Sequence, residues 1–170
     1  MRTGKRGFGC LLSFLIGNFL CDSGTFRIIR QKGVFLMRRI KQLDSTGCGI
    51  ACVAMIAGRT YSQVRKIAVE MGYQRSDLTL YTHAKQLRAL LDHFGVRTER
   101  ARMARHWESL SATGIAAVNR RESDGRWHWV VYQHGRRPYA IDPRKSAPPR
   151  RTDFGRLRLH SFVPISVKQA

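Results

Sequence analysis

The spacing of the hydrophobic residues changes at Gly95, and this change restricts the fold more than any other feature of the chain. Before Gly95, apolar residues recur with the period of an α-helix, whereas short β-prone runs alternate with turn-rich stretches after it. Helices followed by strands predict an α+β fold. The sheet is expected to be largely antiparallel, because the connections between its strands are too short for crossover helices.

Three helices are predicted before this change. The first covers residues 48–57, between Gly47 and Gly58, and its small residues suit close packing against its surroundings. The second and third helices place apolar residues at i, i+3, i+4 and i+7: Val64, Ile67, Ala68 and Met71, then Leu87, Leu90, Leu91 and Phe94. Their expected N-caps are Thr60 or Ser62 and Thr79 or Thr82, and their expected ends are Gly72 and Gly95.

Strands are predicted over residues 96–101, 114–119, 127–133, 138–142 and 162–167, with an exposed basic loop over residues 145–151. If the third and fourth strands form a hairpin centred on Gly135, His128 lies directly opposite Asp142. The two side chains then share one face of the sheet, where the carboxylate can accept a hydrogen bond from the imidazole. A register shift of one residue would put them on opposite faces.

The chain divides into an N-terminal extension, residues 1–36, and a domain, residues 37–170. The extension begins with basic residues and continues with a mostly apolar run over residues 8–20, shorter than the roughly 20 residues of a membrane-spanning helix. It is interpreted as a signal-like or membrane-directed segment, as a disordered extension, or as the product of a misassigned start upstream of Met37. The location of the protein, cytoplasmic, membrane-associated or exported, depends on which interpretation holds.

The strong positive charge of the chain does not by itself name a function. The sequence has 31 Lys and Arg against 11 Asp and Glu, a net charge of +20. These basic residues are scattered and their longest runs are pairs such as Arg38-Arg39, whereas tails that bind nucleic acid carry blocks of like charge. A basic nucleic-acid-binding protein remains an alternative that would need aromatic residues interleaved with Arg on one face. No specific nucleic acid is expected as a partner.

The four cysteines are Cys10, Cys21, Cys48 and Cys52. They form no CxxC pair and no Cys/His spacing of the kind that binds zinc. Neither a metal site nor a cofactor is therefore expected.

Cys48 and His128 are the candidates for chemistry. A cysteine in the first turn of a helix is near free backbone N–H groups and the positive end of the helix dipole, which stabilise a thiolate, although a lone helical cysteine is more often a small buried hydrophobe. A nucleophilic cysteine also needs a histidine to take its proton and a third group to hold the imidazole. Among the histidines, His128 alone has an obvious carboxylate opposite it, that of Asp142.

Three segments together resemble a known family. Gln42, followed after five residues by the Cys-Gly-Ile-Ala-Cys-Val-Ala-Met run that starts at Cys48, resembles the nucleophile segment of the bacteriocin-processing, double-glycine-leader cysteine peptidases. This is cysteine peptidase family 39, whose fold is papain-like. His128-Trp129-Val130-Val131 is similar to its histidine strand, and Ile141-Asp142-Pro143 to its Asp-Pro strand end.

The resemblance implies a role for each residue. Cys48 would be the nucleophile, His128 the base and acid, and Asp142 the group that orients the imidazole. Gln42 would donate a side-chain N–H to the oxyanion hole, beside the backbone N–H of Cys48. The implied activity is cleavage of peptide bonds, with removal of a double-glycine leader from bacteriocin-like precursors as the family's characteristic reaction.

The chain departs from the family at two positions near the site: Gly47 stands where many members carry Asp, and Trp129 where Tyr or Phe commonly follows the histidine. The sequence also has no P-loop and no block of membrane helices, so an ABC-type exporter would be a separate partner. A non-catalytic domain of the same fold that binds leader peptides is the alternative within the family.

Overall fold

The computed structural model describes residues 37–73 and 80–166, so the predictions for residues 1–36, for Thr79 and for the end of the last strand lie outside the described residues. Its helices are α1 (Cys48–Ala57), α2 (Tyr61–Glu70) and α3 (Ala84–His93), and its strands are β1 (Arg102–Met103), β2 (Gly114–Val118), β3 (His128–Gln133), β4 (Tyr139–Ile141) and β5 (Leu159–Pro164). The strands form an antiparallel sheet in the order β1-β5-β2-β3-β4. Three helices packed on this sheet confirm the predicted α+β fold.

Helix α1 has the predicted bounds, and it lies at the centre of the molecule. Every residue of α1 up to Ile56 is buried, and the helix packs against β3 and against both other helices. It ends at Gly58, whose φ of 62° lies in the left-handed region that favours glycine. Cys48 is therefore the first residue of a helix that is buried along almost its whole length.

The predicted N-cap is confirmed for α2 and is wrong for α3. Thr60 caps α2 through its side-chain oxygen, which accepts a hydrogen bond from the backbone N–H of Gln63. The prediction for α3 was wrong, because His83 is its N-cap and Thr82 is buried. The prediction that Met71 belongs to the buried face of α2 was also wrong, because Met71 lies beyond the end of the helix and is exposed.

Two strands begin elsewhere than predicted. Residues 96–101 contain no strand. They run beside the end of β5, which they contact through single backbone interactions such as the isolated bridge from Thr98 to Ile165 and the hydrogen bond from Glu99 to Pro164. Strand β5 begins three residues before the predicted start, at Leu159, and its register with β2 shifts at His160. The sequence did not indicate this start, because His160 and Ser161 interrupt the apolar pattern.

Both faces of the sheet are covered. The helices cover the face that carries Ile115, Trp129 and Val131. The opposite face packs against two segments that contain short 3₁₀ helices, Trp107–Ser109 and Phe154–Arg156. No helix within the described ranges is long and apolar enough to cross a membrane.

The register of the β3–β4 hairpin differs by two residues from the prediction. Val131 pairs with Ile141 and Tyr132 with Ala140, so residue 142 lies level with Val130 and not with His128. The longer turn accounts for this shift, since its centre is one residue beyond Gly135. A shift of two residues keeps side chains on the same face, so His128 and Asp142 remain diagonal neighbours.

Candidate active site

The N-terminus of α1 holds Cys48 against the sheet. Cys48 is the first helical residue, follows the N-cap Gly47, and is 5% exposed. In this position its backbone N–H is one of those that the helix itself leaves without a partner. Because Cys48 is buried, little of its side chain can be reached from the solvent.

His128, the first residue of β3, contacts both other members of the predicted site. Its Nε2 lies 2.7 Å from Oδ1 of Asp142, and its ring is close enough to Cys48 for that residue to raise the pKa of the imidazole. Because the carboxylate can only accept, Nε2 carries a proton and donates it to Asp142, which leaves Nδ1 for the sulfur. The structure therefore brings Cys48, His128 and Asp142 together in the order that a thiol nucleophile requires.

The surroundings of His128 favour its charged form. Burial lowers the pKa of the imidazole, but the hydrogen bonds to Asp142 and Cys48 outweigh burial and raise the pKa to about 9. At neutral pH the ring is consequently an imidazolium that can pair with a thiolate.

Asp142 is fully buried and receives more than one positive charge. Besides His128, Nη2 of Arg144 lies 2.8 Å and Nη1 of Arg151 lies 3.2 Å from its Oδ2. Burial raises the pKa of this carboxyl group, and the hydrogen bonds to His128 and Arg144 more than compensate, so its pKa lies well below the usual range. Asp142 is held as a carboxylate in one orientation.

Arg144 and Arg151 were not predicted as part of the site, and Arg151 corrects the expectation of an exposed loop. Its side chain is only 10% exposed, because it joins Asp142 to Asp153 while its backbone pairs with Ala140. No local pattern distinguishes Arg151 from the exposed Arg150 before it. Contact with Asp142 depends on residues 143–151 folding back along β4, which the sequence does not indicate.

Gln42 lies in the loop that leads to Cys48, but its side-chain amide is engaged within that loop. Nε2 donates to the backbone oxygens of Asp44 and Ser45, at 3.1 Å and 2.9 Å, and Oε1 is buried without a partner in the described part of the chain. The backbone N–H of Gln42 donates to the carbonyl of Pro143 at 2.9 Å. This last hydrogen bond connects the loop before Cys48 to Pro143, the residue after Asp142.

Tyr61 occupies the space that a side chain at Gly47 would need. A Cβ there would lie 1.8 Å from the hydroxyl oxygen of Tyr61, and that hydroxyl donates to Oδ2 of Asp44 at 2.8 Å. Tyr61 therefore excludes a side chain at Gly47, and Asp44, three residues earlier, holds the Tyr61 hydroxyl in this position.

Gly49 is required by the packing of α1 on the segment before α3. A Cβ at this position would lie 2.0 Å from Oγ1 of Thr82 and 3.2 Å from Trp129. Thr82 in turn accepts a hydrogen bond from Nε1 of Trp129 through its backbone oxygen, at 2.9 Å. Trp129 is thus a fully buried support for the start of α1.

Cys52 lies one turn after Cys48 and is fully buried. Burial is the main cause that raises the pKa of its thiol well above the ordinary value, with a further contribution from Cys48. Cys52 is therefore a buried thiol in the core, chemically distinct from its neighbour.

An aromatic cluster lies on the other side of the site. The rings of Tyr81, His83 and Trp127 are mutual neighbours, with centroids 5.3–5.7 Å apart. The backbone N–H of Trp127 donates to the Tyr81 hydroxyl, which fixes the segment before α3 against the start of β3.

Comparisons with known proteins give matches to solved structures and none to family models or curated sequences. Among solved structures, the chain is similar to a double glycine motif protease from an AMS/PCAT transporter, which was crystallised in complex with the leader peptide. The TM-score is 0.47 and the sequence identity 20%, over 78% of this chain and 97% of that protein. At this identity the similarity concerns the fold alone.

Proposed function

We propose that this chain is a cysteine peptidase in which Cys48 is the nucleophile, His128 the base and acid, and Asp142 the group that orients the imidazole. The observation that carries the proposal is the position of His128, whose Nε2 lies 2.7 Å from the buried carboxylate of Asp142 and whose ring is close enough to Cys48 for that residue to raise its pKa. The same geometry supports the papain-like assignment implied by the sequence motifs.

Acylation follows from this arrangement. The thiol proton resides on Nδ1 of His128, and the Cys48 thiolate attacks the carbonyl carbon of the scissile peptide bond. A C–S bond forms, the C–N bond breaks, and the imidazolium gives its proton to the departing amine. The products of this half-reaction are a free amine and a thioester on Cys48.

Deacylation uses the same residues in reverse. Neutral His128 takes a proton from a water molecule, whose oxygen attacks the thioester carbon. The C–S bond breaks, a carboxylic acid leaves, and the thiolate–imidazolium pair is restored. Asp142 remains a carboxylate throughout and keeps Nε2 of His128 protonated.

The oxyanion hole is proposed to combine the backbone N–H of Cys48 with an N–H of Gln42. Loss of one such donor typically lowers kcat by about 100-fold to 1000-fold. Because both N–H groups of Gln42 are bonded to loop carbonyls, one of them has to be released when substrate binds.

The proposed substrates are precursor peptides with a double-glycine leader. The assignment rests on the resemblance of the segments around Cys48, His128 and Asp142 to those of the double-glycine-leader peptidases. An ABC-type exporter is the proposed partner that carries the product.

The alternative is a non-catalytic domain of the same fold that binds leader peptides. One observation favours it, namely that the amide of Gln42 is turned to its own loop and does not point to an oxyanion position. The two functions differ in whether bound peptide is cut.

The test is a comparison of Cys48→Ala with Cys52→Ala on a synthetic peptide that contains a double-glycine leader. We expect Cys48→Ala to abolish cleavage, a loss of about 10⁶-fold in kcat by analogy with other triads, and Cys52→Ala to retain it. A peptidic, thiol-directed inhibitor should label Cys48 and leave Cys52 unmodified. Equal cleavage by Cys48→Ala and the parent protein, or binding without any cleavage by the parent, would contradict the peptidase proposal.

A further inference from the structure

Two open cavities with basic linings lie beside the site. The first, of about 430 Å³, lies between residues 42–45 before Cys48 and residues 144–146 after Asp142. The second, of about 350 Å³, is lined by residues 37–39, Ile141 and residues 149–150. We call the two cavities together the basic trough, whose cationic residues are Arg38, Arg39, Arg144, Lys145 and Arg150.

The two cavities are neighbours joined by Arg39. Its Nε donates to the backbone oxygen of Asp142 at 2.9 Å, and its guanidinium also donates to the backbone oxygen of Arg144. Arg39 lines the second cavity and Arg144 the first. One continuous strip of surface therefore leads from the loop before Cys48 past the catalytic carboxylate.

The positive charge of this strip is largely unneutralised. Arg38, Lys145 and Arg150 are exposed, and none of them forms an ion pair within residues 37–73 and 80–166. The carboxylates nearby are already engaged: Asp142 is buried between its own partners, and Asp44 accepts from Tyr61 and pairs with Arg65. An anionic group that enters the trough would gain partners that the protein does not supply.

We propose that the basic trough binds an acidic stretch of the peptide substrate and so selects which precursors are cut. The proposal rests on the peptidase function, because Gln42 and Ser45 belong both to the first cavity and to the loop that precedes Cys48. A peptide bound at Cys48 that follows the loop of residues 42–45 would reach this cavity. Its Asp or Glu side chains would find Lys145 in the first cavity and Arg150 in the second.

A peptide fits this surface better than a nucleic acid does. Single-stranded nucleic acids need aromatic side chains on which bases stack, and none of the residues that line the two cavities is aromatic. The ring of Tyr139 is covered by the guanidinium of Arg150, which lines the second cavity, at 4.8 Å.

The experiment compares two peptides that share one double-glycine cleavage site and differ only in flanking Glu or Gln residues. We expect kcat/KM for the Glu peptide to exceed that for the Gln peptide by about tenfold at low salt, as two or three exposed ion pairs allow. The preference should shrink as salt is added, because exposed charges are screened.

Charge-reversed variants locate the preference. In Lys145→Glu/Arg150→Glu the ratio of the two kcat/KM values should fall to about one or invert, since like charges repel. The matched control is Arg136→Glu/Arg137→Glu, which changes the net charge equally in the β3–β4 turn, at the opposite end of the hairpin from His128. The control should retain the preference, and loss of it in both variants would overturn the assignment to the trough.

Binding measurements separate this proposal from the peptidase proposal. Fluorescence anisotropy with Cys48→Ala reports affinity for the labelled peptides in the absence of cleavage. A protein that cuts both peptides equally well overturns the trough and leaves the peptidase function intact. A protein that cuts neither peptide but binds the Glu peptide more tightly overturns the peptidase function and supports the trough. A single-stranded oligonucleotide that displaces the Glu peptide at lower concentration than unlabelled Glu peptide would assign the trough to nucleic acid instead.

Discussion

At the scale of single residues, the pKa of His128 is the property that an experiment can test most directly. Burial acts to lower the pKa of its ring, yet the bonds to Asp142 and Cys48 raise it to about 9. The proposed mechanism requires a protonated imidazole, so the proposed peptidase activity should fall as the pH rises through about 9.

Replacement of the carboxylate should move this limit. In Asp142→Asn the imidazolium loses its negative partner, and the pKa of His128 falls back toward its ordinary value of 6.5. We expect the basic limb of the pH profile of kcat/KM to shift down by about one to two pH units, together with a lower maximum. The profile is measured with the peptide used above, and circular dichroism checks the fold at each pH. An unshifted basic limb in a folded variant would contradict the role assigned to Asp142.

The residues of the site differ in how far the sequence reveals them. Cys48, His128, Asp142 and Gln42 can be nominated from motifs, because each lies at a recognisable position in a segment. Their contacts cannot be read in the same way, as Gln42 shows: its amide binds carbonyls two and three residues away. Arg144 and Arg151 carry no signal at all, since what distinguishes them is the carboxylate that they reach in the folded chain.

At the scale of elements, the start of α1 is the joint on which the site depends. Gly47 is in contact with Tyr61, the first residue of α2, and no room remains for a Cβ. The position of Cys48 is thus set by the packing of α1 against α2 as well as by its own helix.

A double-mutant cycle tests this joint. Gly47→Ala should destabilise the protein by about 2 kcal/mol, because its new methyl group overlaps the Tyr61 hydroxyl. Tyr61→Phe should cost about 1 kcal/mol through loss of the hydrogen bond to Asp44. The double variant should cost less than the sum of the two by about 1 kcal/mol, since removal of the hydroxyl makes room for the methyl group. Urea unfolding measures all four proteins, and simple additivity would show that the two residues do not compete for this space.

The elements themselves were predicted unevenly, and the reasons are physical. The helices follow from periodicity and from glycines at their ends, so the bounds of α1 agree with the prediction. The N-cap of α3 was missed because Thr82 is needed elsewhere, in the contact with Gly49 and Trp129. The hairpin register depends on the length of the turn, which the single glycine in it did not fix.

At the scale of the whole molecule, the layers that cover the two faces of the sheet differ in how far the sequence predicts them. The helical face is built from periodic segments and could be predicted. The other face is covered by Trp107 and Phe154 in short 3₁₀ helices, and Trp107 is anchored by a 2.8 Å hydrogen bond from Nε1 to the backbone oxygen of Leu157. Segments of three helical residues have no detectable period, so this layer appears only in the structure.

The distribution of the positive charge also becomes apparent only in the folded molecule. Residues 37–170 carry 25 Lys and Arg against 10 Asp and Glu, a net charge of +15. In the sequence these residues are scattered, but folding brings Arg38 and Arg39 beside Arg144, Lys145 and Arg150. Charge that is scattered along the chain is thus concentrated beside Asp142 in the folded molecule.

The last prediction concerns the division of the chain at Met37. The buried clusters of the described residues draw on residues 37–165, and the proposed catalytic groups lie between Gln42 and Asp142. We expect a protein that starts at Met37 to unfold with a free energy within about 0.5 kcal/mol of that of the full chain, because the described core and the proposed catalytic groups lie in residues 37–170. Its kcat/KM on the Glu peptide should also be unchanged. Urea unfolding and peptide cleavage, measured side by side on both proteins, check this expectation. A large loss of stability would show that residues 1–36 belong to the folded domain, and a loss of cleavage at equal stability would show that they contribute to substrate binding.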